Sequence, residues 1–211
     1  RCDLRNIVID SSSAYVVRRA AVNAVSECDT ESDWRILVEE LRKLGDSDSL
    51  RIAINVLEDN VTLFSGTTLA ELLIAFESAN KSRLIGLGYG LHRQLSITQL
   101  EESLDTLADF SLEAEEMRGL SDWLYIFLQE RFDRSPPPLV SRVCAWMQNS
   151  KSYIYYRSNW EKFSGEYFDQ NIEYRQELQA EALKSSVNAK DFWLKLFHLG
   201  DISSGLWLRE D

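Results

Sequence analysis

Residues 19–25 read RAAVNAV, and residues 51–57 read RIAINVL, 32 positions further along the chain. Aligning residues 19–44 with 51–76 without a gap gives seven identities in 26 positions. The identities that matter most are Arg19/Arg51, Ala21/Ala53, Asn23/Asn55, Leu37/Leu69 and Leu41/Leu73. Both matched segments place apolar residues at helical spacing. The repeated unit is therefore predicted to be a pair of helices.

The second helix of each predicted pair has recognisable ends. The first copy carries Trp34, Leu37, Val38, Leu41 and Leu44 on one face. It stops at Gly45, a residue suited to a left-handed C-cap. The next copy opens with Thr68-Leu-Ala-Glu71, which has the spacing of a capping box. A third, degenerate pair is predicted from Arg83 onward, with Thr98-Gln-Leu-Glu101 as its second cap.

A helical hairpin of this kind leaves an apolar side that only the next hairpin can cover, so hairpins stack. Over about residues 10–80 the sequence resembles HEAT-type repeats, although its period of 32 is shorter than the roughly 40 of that family. The turn from Asp46 to Arg51 also looks like the HEAT inter-repeat turn. The resemblance implies a right-handed α-solenoid. The alternative is a chance likeness between amphipathic helices.

Composition changes near Gly119. Residues 1–120 carry a net charge of -9, whereas 17 of the 23 aromatic residues follow them. In the aromatic part, Trp123, Leu124, Phe127 and Leu128 form another helical stripe. We predict an all-α chain with HEAT-like repeats in residues 1–120. An aromatic-rich helical subdomain in residues 121–211 is predicted to continue or cap the array.

Aromatic and cationic side chains alternate between residues 153 and 175, a mixture that can grip a peptide or stack on bases. The candidate partner-binding residues are Tyr153, Tyr155, Tyr156, Arg157, Trp160, Tyr174 and Arg175. The alternative interpretation is that the aromatic rings form core and that the tyrosine hydroxyls reach the surface.

Charge and cysteine usage restrict the function classes. A net charge of -11 works against binding a phosphate backbone, and no apolar run approaches the roughly 20 residues of a membrane span. Three widely spaced cysteines fit no disulfide framework, so a cytoplasmic location is expected. A protein partner, or a neighbouring domain of the same polypeptide, is the expected ligand.

The sequence contains no recognisable catalytic motif. The only two histidines are His92 and His198, and nothing resembles a nucleophile elbow. No catalytic residue, cofactor or metal is predicted. The leading hypothesis is a non-catalytic recognition or scaffold module.

A second resemblance is to the helical arrays of large bacterial signal-transduction NTPases of the NACHT kind. It is carried by the Arg-x-Ala-Ile/Val-Asn helices, by residues 62–76 and by the closing segment Gly205-Leu-Trp-Leu-Arg-Glu-Asp211. The resemblance implies a sensor or regulatory arm, often in antiviral defence. Since the chain starts at Arg1 and lacks a Walker motif, we expect a fragment of a larger protein whose NTPase lies elsewhere.

Two alternatives stay open. The first is a nucleic-acid-binding solenoid that uses Arg157, Lys162 and Arg175 among stacking aromatics. The second is an enzyme that uses groove carboxylates, for which the acid clusters at Glu101, Glu102, Glu115 and Glu116 are the candidates.

Overall fold

The computed structural model describes residues 2–26, 31–79, 90–110, 118–149 and 171–184. Helices hold 83% of the described residues and none of these residues is in a strand, which confirms the all-α prediction. The α-helices of these ranges are α1 Cys2–Ile9, α2 Tyr15–Ser26, α3 Glu31–Leu44, α4 Ser47–Asp59, α5 Gly66–Ala79, α6 Leu91–Gln94, α7 Ile97–Asp109, α8 Arg118–Asp133, α9 Val140–Asn149 and α10 Ile172–Lys184. A 3₁₀ turn spans Val61–Leu63.

The chain forms two compact units, Arg1–Ser103 and Leu104–Asp211. This division falls inside α7. The boundary predicted from composition, at residue 120, stays a prediction.

The centre of the first unit is α4, which contacts α2, α3 and α5. Its buried side chains are Ser49, Leu50, Ile52, Ala53, Ile54, Val56 and Leu57. A helix that is apolar on most of its circumference must be covered on most sides. Only a narrow polar stripe, which includes Arg51 and Asn55, reaches solvent.

The apolar identities of the repeat are packing positions. Ala21 and Ala53 are buried on α2 and α4, the first helices of the two hairpins. Leu37, Leu41, Leu69 and Leu73 are buried on α3 and α5, the second helices. Burial in both copies explains why these positions keep the same residue type.

Helix ends agree with the sequence in one case and differ in two. Gly45 takes a left-handed φ of 69°, which confirms the predicted C-cap of α3. The predicted caps of the later helices are wrong because serines upstream provide them. The N–H of Thr68 donates to Ser65 Oγ (3.1 Å), so Ser65 caps α5. Ser96 and Gln99 form a reciprocal capping box at α7, with N···O distances of 2.9 and 3.2 Å.

A buried arginine on α2 connects this helix to α1 and to the start of α4. Arg18 on α2 is 1% exposed, and its Nε donates to the carbonyl of Val8 at 2.8 Å. Its terminal nitrogens reach Ser49 Oγ (2.5 Å) and Asp46 Oδ1 (3.6 Å) at the start of α4. Burial opposes ionisation of Asp46, but hydrogen bonds from Ser49 and the charge of Arg18 outweigh it and lower the pKa of that carboxyl.

Polar contacts also join the second helices of successive hairpins. Arg42 on α3 pairs with Glu39 (3.0 Å) and with Glu71 of α5 (2.9 Å), and these two glutamates occupy equivalent repeat positions. The amide of Gln99 on α7 donates to the carbonyls of Val61 and Phe64, at 2.8 and 2.7 Å. These bonds attach α7 to the 3₁₀ turn, whose Val61 carbonyl also accepts the N–H of Phe64 at 3.3 Å.

The second unit has its own apolar core and polar links. Trp123, Leu124, Phe127 and Leu128 are buried on α8, as the helical stripe predicts. Val143 and Trp146 are buried on α9, whereas Leu139, which precedes this helix, is exposed.

Asp105 links the last turn of α7 to α9. It accepts a two-pronged contact from Arg142 (3.1 and 2.5 Å) and a hydrogen bond from the Trp146 indole (2.6 Å). Burial opposes ionisation of Asp105, yet the Arg142 and Trp146 hydrogen bonds and the Arg142 charge prevail and lower its pKa. A carboxylate held in this way fixes the position of α9 against α7.

Truncating the buried repeat leucines tests the core. We expect Leu41→Ala and Leu73→Ala each to lower the free energy of unfolding by about 2–5 kcal/mol, since both side chains are 0% exposed. Leu44→Ala is the matched control on the same helix, because Leu44 is 43% exposed, and it should cost under about 1 kcal/mol. Urea unfolding followed by circular dichroism gives the three values. Equal costs at Leu41 and Leu44 would contradict this assignment of faces.

Gly66 lies where α5 approaches α7 most closely. A Cβ added there would stand 1.8 Å from the carbonyl oxygen of Gln99 and 2.8 Å from Ser103 Oγ. Gly66→Ala should therefore lower the free energy of unfolding by about 1–3 kcal/mol or more, because the added methyl group would clash with backbone atoms. Gly90→Ala meets nothing within 4 Å and should change stability by less than about 1 kcal/mol. Comparing the thermal midpoints of the two variants checks this, and a neutral Gly66→Ala would contradict the close approach.

Candidate partner-binding groove

Two repeat identities are not explained by core packing. Arg19 and Arg51 are each the fifth residue of their helices, α2 and α4, and both are exposed. One turn later, Asn23 is exposed and Asn55 is half-buried. A polar residue retained at an exposed position needs a reason other than burial. These four side chains are the starting point for a functional site.

Three of them, Arg19, Asn23 and Asn55, line one groove between α2 and α4, which we call the α2–α4 groove. The buried side chains of Val22 and Ile52 form its floor. Arg19, Asn23, Asn55, Glu58 and Asp59 line its rim. Its volume is about 90 Å³. Arg19 and Asn23 are one turn apart on α2, as Asn55 and Asp59 are on α4, so polar groups follow both walls.

Arg51 does not line the groove, but Tyr15 connects it to the lining residue Asn55. The guanidinium of Arg51 lies over the ring of Tyr15, 5.0 Å from its centroid, and Asn55 Nδ2 is 3.3 Å from the Tyr15 hydroxyl. Stacking orients the guanidinium but leaves its in-plane N–H groups available. Neither Arg19 nor Arg51 forms an ion pair or hydrogen bond with any residue in the described ranges.

The groove lining also includes two acidic residues, Glu58 and Asp59. Burial, followed by the neighbouring charge of Asp59, raises the pKa of the Glu58 carboxyl. Within the part of the chain that the structure describes, no cation pairs with Glu58 or Asp59. Two adjacent carboxylates without an ion-pair partner make this part of the groove attractive to an external cation.

A larger cavity, of about 320 Å³, lies between α3 and the start of α5. Arg35 already closes part of it by donating to the Leu63 carbonyl at 2.9 Å. Glu39, another lining residue, is paired with Arg42. Because these charged groups are committed to neighbours within the chain, the smaller α2–α4 groove is the better candidate for binding a partner.

Most of the candidate partner-binding residues of the aromatic segment have no described side chain. Tyr153, Tyr155, Tyr156, Arg157 and Trp160 lie outside the described residues, and Arg175 is described only as part of the backbone of α10. These residues stay predictions.

Tyr174 is described, and both ends of its side chain are engaged inside the second unit. Its hydroxyl donates to the Pro138 carbonyl at 2.6 Å, and its ring meets Phe132 edge-on at 6.4 Å. These contacts attach α10 to the segment that precedes α9.

The acidic residues proposed for catalysis also fall partly inside and partly outside the described ranges. Glu102 accepts a hydrogen bond from the N–H of Gly66 (2.8 Å), a contact that holds α5 against α7. Glu115 and Glu116 lie outside the described ranges.

Within the described ranges, no group of three or more His, Cys, Asp or Glu side chains is arranged to hold a metal ion. Nor does any described helix combine the length and apolar character needed to cross a bilayer.

The repeat carries a partial sequence signal for the groove. Arg19, Asn23 and Asn55 are repeat identities, as is Arg51. Glu58 and Asp59 carry no repeat signal of their own. Only the packing of α2 beside α4 brings Arg19, Asn23 and Asn55 together with Glu58 and Asp59.

No protein-family model, curated protein or solved structure matches this chain.

The raised pKa of Glu58 gives a stability prediction with a defined sign. The unfolded carboxyl loses its proton at a lower pH than the folded one, so its charge costs folding free energy above both pKa values. Glu58→Gln should therefore be more stable than the parent chain at pH 7. The difference should vanish well below pH 4.5, the ordinary value, where the parent carboxyl is protonated.

Thermal unfolding at pH 7 and pH 3 provides the measurement. Glu40→Gln is the matched control, since Glu40 pairs with Arg5 at 3.2 Å and gains nothing from neutralisation. A Glu58→Gln variant that is less stable at pH 7 would mean that the carboxylate has a cationic partner in the folded chain.

Proposed function

We propose that this chain is a non-catalytic protein-recognition module. Its first unit is a HEAT-like α-solenoid and its α2–α4 groove is the recognition surface. The single observation that carries the proposal is that the recurring polar residues Arg19, Asn23 and Asn55, from two hairpins, reach the surface and line one groove. Burial accounts for the apolar identities of the repeat but not for the recurrence of an exposed arginine at positions 19 and 51.

The solenoid interpretation is supported by contacts between equivalent helices. The first helices of the two hairpins, α2 and α4, are neighbours. The second helices are linked by the Arg42–Glu71 pair, and α5 is linked to α7 by the Ser103–Gly66 hydrogen bond at 2.9 Å. Neighbours of the same kind are what stacked hairpins require. The right-handed sense is what the HEAT resemblance implies.

The biological setting that we propose follows from the resemblance to bacterial signal-transduction NTPases of the NACHT kind. A sensor or regulatory arm of a bacterial signal-transduction NTPase would use such a groove to hold a ligand protein or a neighbouring domain. A cytoplasmic location and a part in antiviral defence belong to the same proposal. Any NTPase activity would require a Walker motif, which these 211 residues do not contain.

A binding experiment tests the proposed function. The full chain, carrying an affinity tag, is recovered from its native source together with bound proteins, and each recovered protein is then purified and recombined with it. We expect one protein, or one adjoining segment of the same polypeptide, to rebind with a 1:1 or other fixed stoichiometry by calorimetry. Failure of every recovered protein to rebind would overturn the proposal.

A second measurement separates the alternative class. Binding of labelled single-stranded DNA and RNA is titrated at several salt concentrations. Because a net charge of -11 opposes contact with phosphates, we expect no saturable binding even at low salt. Tight, salt-sensitive binding would replace protein recognition with the nucleic-acid alternative.

A further inference from the structure

The cavity between α3 and the start of α5, which we call the α3–α5 cavity, has the size of a small-molecule site. Its volume is about 320 Å³. Sites for small ligands range from about 300 to 1,000 Å³, and an engineered cavity of about 150 Å³ already holds benzene. The α3–α5 cavity therefore has room for one ring or branched chain together with a polar group attached to it.

The inner part of this cavity is apolar and its mouth is polar. Val38 on α3 is 0% exposed, Phe64 is 7% exposed, and Leu63 beside it is half-buried. Arg35 and Ser65 also line the cavity, and both are exposed. A ligand would thus place its apolar part against the buried side chains and its polar part beside the exposed ones.

The commitment of Arg35 to the rest of the chain is partial. Its Nε donates to the Leu63 carbonyl at 2.9 Å, and this contact orients the guanidinium. Its two terminal nitrogen atoms form no hydrogen bond or ion pair with any residue that the structure describes. A guanidinium carries five N–H groups, so four remain, and the terminal pair matches the two oxygens of a carboxylate.

The hydroxyls of Ser65 and Thr68 add one more donor to the lining. They share a single hydrogen bond of 3.0 Å, in which either can be the donor. Ser65 Oγ also accepts the N–H of Thr68 at 3.1 Å. Because each hydroxyl has one O–H, the hydroxyl that accepts in the shared bond keeps its own O–H for a third group.

The charges of the lining favour a ligand with one negative charge. Glu39, the other ionic lining residue, is offset by its pair with Arg42 at 3.0 Å, whereas Arg35 has no counter-ion within the described ranges. A monoanion would supply that counter-ion. The second charge of a phosphate group would share the cavity with Glu39 and have no cation of its own.

We propose that the α3–α5 cavity is a binding site for a small carboxylic acid with an apolar body, bound as its carboxylate. The carboxylate lies against the terminal N–H groups of Arg35 and accepts the remaining O–H of the Ser65–Thr68 pair. The apolar body packs on Val38 and Phe64. This site is separate from the α2–α4 groove and adds a small-molecule ligand to the proposed protein recognition.

A set of related compounds tests the ligand class by NMR titration of the full chain. Phenylacetate and 4-methylpentanoate combine a carboxylate with an apolar body, and we expect both to saturate the chain with Kd values of about 5 mM or tighter. Acetate lacks the apolar body, phenylacetamide lacks the charge, and phenethylamine reverses it. These three should bind at least about tenfold more weakly, because each loses either the charged hydrogen bonds or the apolar contact.

Substitution of Arg35 tests the contact with the carboxylate. Arg35→Gln should weaken phenylacetate binding by about tenfold or more, and the preference for phenylacetate over phenylacetamide should disappear. A purely structural role for Arg35 would not remove that preference. Arg35→Lys keeps the charge but loses the two-pronged geometry, so its affinity should lie between those of Arg35→Gln and the parent chain.

Lys43→Gln is the matched control. Lys43 lies on the same helix as Arg35, is exposed and does not line the cavity. Its replacement removes one positive charge and should alter phenylacetate affinity by less than about twofold. Circular dichroism shows that each variant is folded before binding is compared, and the comparison of compounds on the parent chain needs no variant.

Several results would overturn this inference. They are saturation by neither carboxylate, equal affinity for phenylacetate and phenylacetamide, or undiminished binding of phenylacetate to Arg35→Gln. Tighter binding of inorganic phosphate than of phenylacetate would also overturn it, because the cavity would then recognise an anion without an apolar body. The proposed protein recognition would survive each of these results, since it is measured with recovered proteins and concerns a different groove.

Discussion

The guanidinium of Arg18 is the constraint on which the first unit depends. A cation that is 1% exposed would cost several kcal/mol if unpaired, so the fold must deliver acceptors to it. They come from two parts of the chain: the Val8 carbonyl on α1, and the Ser49 hydroxyl and Asp46 carboxylate at the start of α4. A slip of α2 along α4 by one turn would move the guanidinium about 5 Å and separate it from Ser49 and Asp46. Arg18 therefore sets the register of the two hairpins.

The groove follows from that register. Once α2 is fixed along α4, Tyr15 meets Arg51, while Arg19 and Asn23 share a groove with Asn55 and Asp59. Stability and the proposed binding thus involve different faces of the same two helices. The face with Arg18 is buried inside the first unit, and the groove face keeps charged groups such as Glu58, whose raised pKa means that its ionisation disfavours folding. Residues that cost stability and remain solvent-accessible are typical of binding sites.

The limits of the repeat are visible at two positions. The residue 32 positions after Arg18 is Leu50, an ordinary buried core residue. The repeat therefore does not predict a buried cation at position 18. Thirty-two residues before Gly66 stands Trp34. The need for glycine at 66 comes from the carbonyl of Gln99, which lies 33 residues away in sequence and 1.8 Å from where a Cβ would be. A local repeat cannot predict a residue type that is required by contact with a distant segment.

Periodicity and end signals by themselves determined the helices, the buried faces at Leu41 and Leu73, and the left-handed end at Gly45, because these depend on residues within a turn or two. They also marked the arginines and asparagines that recur. Tertiary structure alone decided that Arg19, Asn23 and Asn55 share one groove with Glu58 and Asp59, and that serines replace the expected caps of α5 and α7. The physical reason is that a groove exists only between helices, where packing, rather than spacing along the chain, sets which side chains meet.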